Sequence, residues 1–158
     1  MTAAQLIEGE VSARGRKIAI IAARFNDFIV TSLLKGATGA WLERGGAAAD
    51  LEVVRVPGAF ELPVVARKLA ASGRYDALVA LGCVIRGDTP HFNYVAGECA
   101  RGLQLASLET GVPIAFGVLT VDTMEQALAR TGGGKRDQGA HAAEAVVALA
   151  RLRALLRL

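Results

Sequence analysis

The sequence predicts an α/β fold: a three-layer αβα sandwich built on a four-stranded parallel sheet. Three observations carry this prediction. Four short runs are almost wholly apolar, as strands buried on both faces must be. Each is followed by a longer segment whose apolar residues recur at helical spacing. Glycine and proline punctuate the junctions. Strands alternating with helices in this way line up parallel, with helices covering both faces of the sheet.

The first strand is KIAIIAA, residues 17–23. Asn26 or Asp27 is placed to cap the helix that follows, whose stripe Ile29, Leu33, Ala37 and Ala40 has helical spacing and which Gly45-Gly46 ends. LEVVRV, residues 51–56, is the second strand, closed by Pro57-Gly58. A helix over residues 61–71 tolerates Pro63 because it lies in the first turn. ALVALGCVI, residues 77–85, is the third strand, and the loop after it leads into a long helix from about residue 91 to residue 109. Residues 114–121 form the fourth strand and residues 123–130 a short helix. TGGGKRDQG, residues 131–139, is a polar glycine-rich break. The last helix starts near residue 140, with Ala142, Ala145, Leu149, Leu152 and Leu156 expected on its buried face. This pattern is flavodoxin-like. Residues 6–11 are a candidate edge strand, pairing with this sheet or with that of a neighbouring subunit.

The length of 158 residues fits one domain, residues 1–158, with residues 1–15 as an N-terminal arm. Hydrophobic residues make up 53%, alanine alone supplies 30 residues, and mean hydropathy is +0.37. That excludes a disordered chain. It also exceeds what a small monomer easily hides, so an oligomer is expected. No uncharged apolar run approaches the length of a membrane span. The net charge of +3 is scattered, with no basic run interleaved with aromatics, so nucleic acid is not an expected partner. Cys83 and Cys99 have neither metal-ligand nor redox spacing and read as buried free thiols. Glu8 and Glu10 interrupt any leader-like run, and the cytoplasm is the expected compartment.

Ligands of open α/β sheets bind beyond the carboxyl ends of the strands. This rule selects Arg24-Phe25-Asn26, Pro57-Gly58-Ala59-Phe60-Glu61, residues 86–91 and residues 120–122. Gly87-Asp88-Thr89-Pro90 opens a helix, where unpaired N–H groups favour an anion; an ordinary turn capped by Asp88 or Thr89 fits as well. His91 follows, able to give and take a proton near neutral pH, or simply to hydrogen-bond at a helix start. Phe25 is placed to stack on a flat heterocycle or to plug the core beneath its loop. Glu61 either accepts a ligand N–H or serves as a first-turn carboxylate. His141 reads as a surface residue. The chain has no dinucleotide fingerprint, no Walker lysine loop and no metal-like His/Cys/Glu cluster, so no cofactor and no metal are expected.

Taken together, several motifs resemble the lumazine synthase family. They are Arg24-Phe25-Asn26, Val56-Pro57-Gly58-Ala59-Phe60-Glu61-Leu62-Pro63, Val84-Ile85-Arg86-Gly87 with Thr89 and His91-Phe92, and Phe116-Gly117-Val118-Leu119-Thr120. The resemblance runs in order from about residue 6 to residue 156. It implies condensation of 5-amino-6-(D-ribitylamino)uracil with 3,4-dihydroxy-2-butanone 4-phosphate, through an imine between the substrates that needs no cofactor. It further implies that Phe25 stacks on the uracil, that Ala59, Phe60 and Glu61 frame the ribityl chain and uracil edge, and that Cys83, Val84 and Ile85 offer backbone contacts. Asp88 and Thr89 would hold the phosphate, and His91 would carry the proton. Phe116 and Arg130 would come from the neighbouring subunit, the first closing the ring pocket and the second meeting the phosphate.

The implied assembly is a homo-pentamer, with a sixty-subunit icosahedral shell as its extension, and riboflavin synthase is a candidate protein partner. Residues 130–139 show no insertion relative to shell-forming members, and residues 6–11 lack proline; both features favour the shell. One departure stands out. The family usually has Asn-Lys-Gly before the last helix, where this chain has Asp137-Gln138-Gly139, so Lys135 or Arg136 becomes the substitute for that lysine. Rival readings are a flavin-binding container with weakened catalysis and a different small-molecule transferase or isomerase on the same fold.

Overall fold

The computed structural model describes residues 3–156. Four parallel strands, β1 (Ile18–Ala23), β2 (Leu51–Val56), β3 (Ala77–Ile85) and β4 (Ile114–Val121), form one sheet in the order β2-β1-β3-β4. The helices are α1 (Asp27–Glu43), α2 (Leu62–Ala71), α3 (His91–Thr110), α4 (Met124–Leu128) and α5 (Gln138–Leu156). Because side chains alternate along a strand, the two faces build separate cores. Ile18, Ile20, Val79, Leu81 and Leu119 pack with α1 and α5, whereas Ala19, Ile21, Leu78, Ala80 and Val118 pack with α2 and α3. This is the predicted αβα sandwich. All four strands fall within a residue of their predicted bounds.

The differences lie at helix ends and faces. Residues 6–11 form no strand in this chain's own sheet; they run as irregular, largely exposed chain. A short 3-10 turn, Ala59–Glu61, precedes α2, which begins one residue later than predicted. The short helix α4 is tighter than residues 123–130, because the Thr123 side chain caps it by accepting from the Gln126 N–H at 3.2 Å. Neither Asn26 nor Asp27 caps α1 with its side chain: Asn26 sits at the N-cap in the left-handed region, with φ 59 and ψ 46, and makes no cap hydrogen bond.

The predicted buried stripe of α5 is out of phase. Ala142 is buried, but Ala145, Leu149 and Leu156 are exposed and Leu152 is half-buried. The face against the sheet is Ala142, Ala143, Val146, Val147 and Ala150. With small apolar residues on every side of this helix, periodicity alone could not fix which face turns inward.

Asp137 starts α5 and is only 1% exposed. Its Oδ1 accepts from the Ala140 N–H at 3.0 Å and its Oδ2 from the Gly133 N–H at 2.8 Å. One carboxylate thus caps the helix and closes the glycine-rich loop. Glycines on both helices allow the close approach. A Cβ on Gly36 would lie 2.4 Å from Asp137 Oδ1, and one on Gly139 would lie 2.1 Å from the Leu33 carbonyl oxygen. At the opposite end of the sheet, Glu52 accepts a hydrogen bond from the Tyr75 hydroxyl and pairs with Arg74 at 3.0 Å and Lys17 at 3.4 Å. The phenol, with help from the two cations, holds the Glu52 carboxyl below its ordinary range.

The α1–α5 contact predicts opposite outcomes for two glycines. Gly139→Ala should lower the unfolding free energy by about 2 kcal/mol through overpacking. Gly39→Ala, where a Cβ meets nothing within 4 Å, should raise it by roughly 0.5–1 kcal/mol through helix propensity. Denaturant midpoints at one fixed protein concentration check both.

Candidate active site

Three strand ends open onto one cleft of about 510 Å³. The sheet order makes this the expected place, because successive connections leave β1 in opposite directions and part at β1 and β3. Phe25 follows β1. Pro57, Gly58, Ala59, Phe60 and Glu61 follow β2. Cys83, Val84 and Ile85 end β3, and Gly87, Thr89, His91, Phe92 and Val95 complete the lining from the loop and first turns of α3.

Phe25 is not a core plug. Its ring is 72% exposed, and its backbone is pinned: Arg24 N–H donates to the Val56 carbonyl at 2.8 Å and Phe25 N–H to the Pro57 carbonyl at 2.9 Å. Phe60, 59% exposed, adds a second aromatic surface. Glu61 stands at the N-cap of α2 but makes no side-chain cap bond there. Its carboxylate folds back over Gly58, where a Cβ would lie 3.1 Å from Oε2. Pro90 holds the N-cap of α3, also without a side-chain cap. The nearest hydroxyl, Thr89 Oγ1, accepts from the His91 N–H at only 3.4 Å, so the helix start keeps N–H groups available. His91 is exposed and lines the cleft beside it.

Three predicted site residues do not line this cleft. Asp88 is exposed on the loop. Phe116 is 48% exposed on β4, an edge strand. Arg130 follows α4 and its Nη1 donates to the Gln126 carbonyl at 2.9 Å. Lys135 and Arg136 are exposed on the glycine-rich loop, and the strand-end stretch 120–122 also stays outside. Among the described residues no lysine or arginine lines the cleft; its ionisable groups are Glu61, His91 and Cys83. Arg86, close by in sequence, turns away: it pairs with Asp122 at 2.8 Å and stacks 4.5 Å over the Phe92 ring. His141 is exposed, as predicted.

Arg55 escaped the sequence reading, and Asn26, selected there within a strand-end stretch and as a helix cap, has a different partner. The Arg55 guanidinium donates to the carbonyls of Ala22 and Ala23 at 3.1 and 3.2 Å and pairs with Asp27 at 2.6 Å. Asn26 Nδ2 donates to the Cys83 carbonyl at 2.8 Å. An arginine at the end of an edge strand and an asparagine at a strand–helix turn were the available signals, but both types are common at such places.

Comparison with known proteins is decisive for the family. The chain matches the family model described as 6,7-dimethyl-8-ribityllumazine synthase over residues 15–154. The chain belongs to the lumazine synthase family. A 6,7-dimethyl-8-ribityllumazine synthase from Nitratidesulfovibrio vulgaris strain Miyazaki F is 53% identical over 146 residues, spanning 92% of this chain and 94% of the relative. The protein of the same description from strain Hildenborough is 52% identical over an equal span. The expected lumazine synthase resemblance is therefore borne out over nearly the whole length.

The two thiols have no reactive part in this site. Burial pushes Cys83 up to about 11 and Cys99 up to about 12, so both stay neutral at physiological pH. The folded protein should resist alkylation by iodoacetamide at pH 8, whereas the denatured chain should be labelled at both positions, as read by mass spectrometry. Above pH 9 the unfolded thiols lose protons that the folded ones retain, so these groups make stability fall as pH rises.

Proposed function

We infer that this chain condenses 5-amino-6-(D-ribitylamino)uracil with 3,4-dihydroxy-2-butanone 4-phosphate to give 6,7-dimethyl-8-ribityllumazine, phosphate and water, a step of riboflavin biosynthesis. The observation that carries this reading is family membership over residues 15–154, with most of the motif residues gathered in a single cleft. The cleft's chemistry supports it. A flat pyrimidine needs an aromatic platform, and Phe25 offers one. Its polar edge needs hydrogen-bonding groups, and the end of β3 with Glu61 offers those. The ribityl chain lies along Ala59, Phe60 and Glu61. The substrate phosphate sits at the start of α3, by Asp88 and Thr89, where helix N–H groups favour an anion.

The pyrimidine amine attacks the ketone of its partner, and loss of water leaves an imine joining the two substrates. Elimination of phosphate, then attack of the ribityl-bearing nitrogen on the remaining carbonyl with loss of a second water, closes the lumazine ring. The carbonyl electrophile comes from the substrate itself, so the protein need only hold two molecules together and move protons. His91, beside the phosphate end, is the proton carrier.

We further propose that the working unit is a homo-oligomer, a pentamer or a sixty-subunit shell built from pentamers, in which Phe116 and Arg130 reach the cleft of a neighbour. Among the described residues no lysine or arginine lines the cleft, which supports a borrowed arginine. Exposed Phe28, Val64 and Leu108 support a covered surface. Two free buried thiols fit a reducing compartment, and the reading places the reaction in the cytoplasm, with riboflavin synthase as the partner that takes the product.

Mixing both substrates with the protein should generate the lumazine chromophore above the spontaneous background; no excess would remove the enzyme assignment. His91→Ala should slow turnover by about a hundredfold with assembly intact. Arg130→Ala should raise KM for the phosphate substrate by roughly ten- to a hundredfold. Co-assembled H91A and R130A chains should regain part of the activity, because some sites then pair an intact His91 with a neighbour's intact Arg130. Light scattering separates the pentamer from the shell.

A further inference from the structure

Asn26 is the only residue other than glycine with positive φ among the described residues. An L-residue in the left-handed region is disfavoured, and such a conformation persists where its surroundings enforce it, often at ligand sites. Asparagine is tolerated there partly because its side chain can bond locally, yet this one makes no bond to its own helix. It reaches across to β3.

The sheet explains the target. The β1–β3 ladder ends at Ala22 opposite Leu81, while β3 runs on beside β4 to Ile85. The Cys83 carbonyl therefore lies past the last rung on the β1 side, and Asn26 Nδ2 supplies the donor at 2.8 Å. On the other flank, Phe25 N–H bonds to the Pro57 carbonyl, and Arg55 grips the carbonyls of Ala22 and Ala23. Phe25 stands between these two anchors, and its ring faces the same cleft as Cys83 and Ile85.

We propose that Asn26 is a positioning residue for the pyrimidine substrate: its left-handed turn and its amide bond to Cys83 fix the gap between the Phe25 ring and the end of β3. This rests on the lumazine synthase reading. A heterocycle that stacks by its face and hydrogen-bonds by its edge needs those two surfaces held at one spacing. Asn26 itself touches no reacting atom.

The test compares N26G with N26D. Both residues accept the left-handed backbone, but glycine lacks the amide, and aspartate puts an acceptor against the Cys83 carbonyl. Steady-state kinetics are measured with each substrate varied in turn, and oligomer size is checked by light scattering. N26G should raise KM for the pyrimidine about tenfold, the loss of one hydrogen bond's worth of order, with KM for the phosphate substrate unchanged and kcat within about threefold. N26D should raise the pyrimidine KM further; if N26D does not fold, N26G alone decides. A wild-type pyrimidine KM in N26G would overturn the proposal, and so would an equal rise in both KM values, which would mean general distortion. Wild-type protein that forms no lumazine above background would overturn the reaction reading, and this one with it.

Discussion

β1 and β3 part company before β3 ends, and the cleft is the consequence. Their ladder stops at Ala22 and Leu81, yet β3 continues through Cys83, Val84 and Ile85 with only β4 beside it. Strand residues alternate the side to which their backbone groups point, so Cys83 and Ile85 present theirs toward the missing neighbour. Buried backbone groups must be satisfied. Asn26 takes the Cys83 carbonyl, and the remaining groups face a space that Phe25, the Gly58–Glu61 turn and the start of α3 enclose. A parallel sheet whose central strands are of unequal length thus manufactures a hydrogen-bonding wall without any dedicated polar side chain. That suits a chain in which charged residues make up only 21%.

The same economy governs charge. Two of the arginines rooted at these strand ends are tied down inside the chain. Arg55 binds β1 carbonyls and Asp27, and Arg86 binds Asp122 and covers Phe92. These contacts make the loops rigid, but they leave the cleft with one carboxylate, one imidazole and a buried neutral thiol. In the proposed reading, phosphate recognition falls to helix N–H groups and to a neighbour's side chain. Arg130, Lys135 and Arg136 all sit on or beside the glycine-rich loop that buried Asp137 closes. Asp137 at that place makes the loop's shape, rather than its individual charges, the property this carboxylate controls.

Much of this was legible in the sequence because parallel strands announce themselves. IAIIAA and ALVALGCVI are buried throughout or nearly so, and both strands lie where their apolar runs placed them. The strand-end rule selects Phe25, Ala59, Phe60, Glu61, Thr89 and His91, which line the cleft, as well as residues 120–122, which do not. What stayed hidden depends on phase and long-range pairing. α5 carries alanine on all sides, so its buried face was settled by the fit of Val146 and Val147 against the sheet rather than by pattern. The roles of Asn26 and Arg55 depend on contacts to Cys83 and to Ala22 and Ala23, far off in sequence. Reading Asn26 as an ordinary helix cap was the natural local inference; the extension of β3 past β1 gave its amide a different partner.

The alanine content bears on assembly through distance rather than area. Each alanine buries little surface, so its contribution to hydrophobic stabilisation is small. Short side chains instead let backbones approach, as at Gly139 against the Leu33 carbonyl and Gly36 against Asp137. The larger apolar side chains then have less room inside, and several lie outside: Phe28 on α1, Val64 on α2, Leu108 on α3, Leu149 on α5. These residues occupy both outer layers. Phe116 belongs with them, an aromatic half exposed on a sheet edge. In the oligomeric reading, covering these faces and completing the cleft are a single event. On that reading the surface between subunits would also bring Phe116 and Arg130 to the cleft, so a subunit cut off from its neighbours would keep the Phe25 ring and the N–H groups at the start of α3 while lacking the arginine.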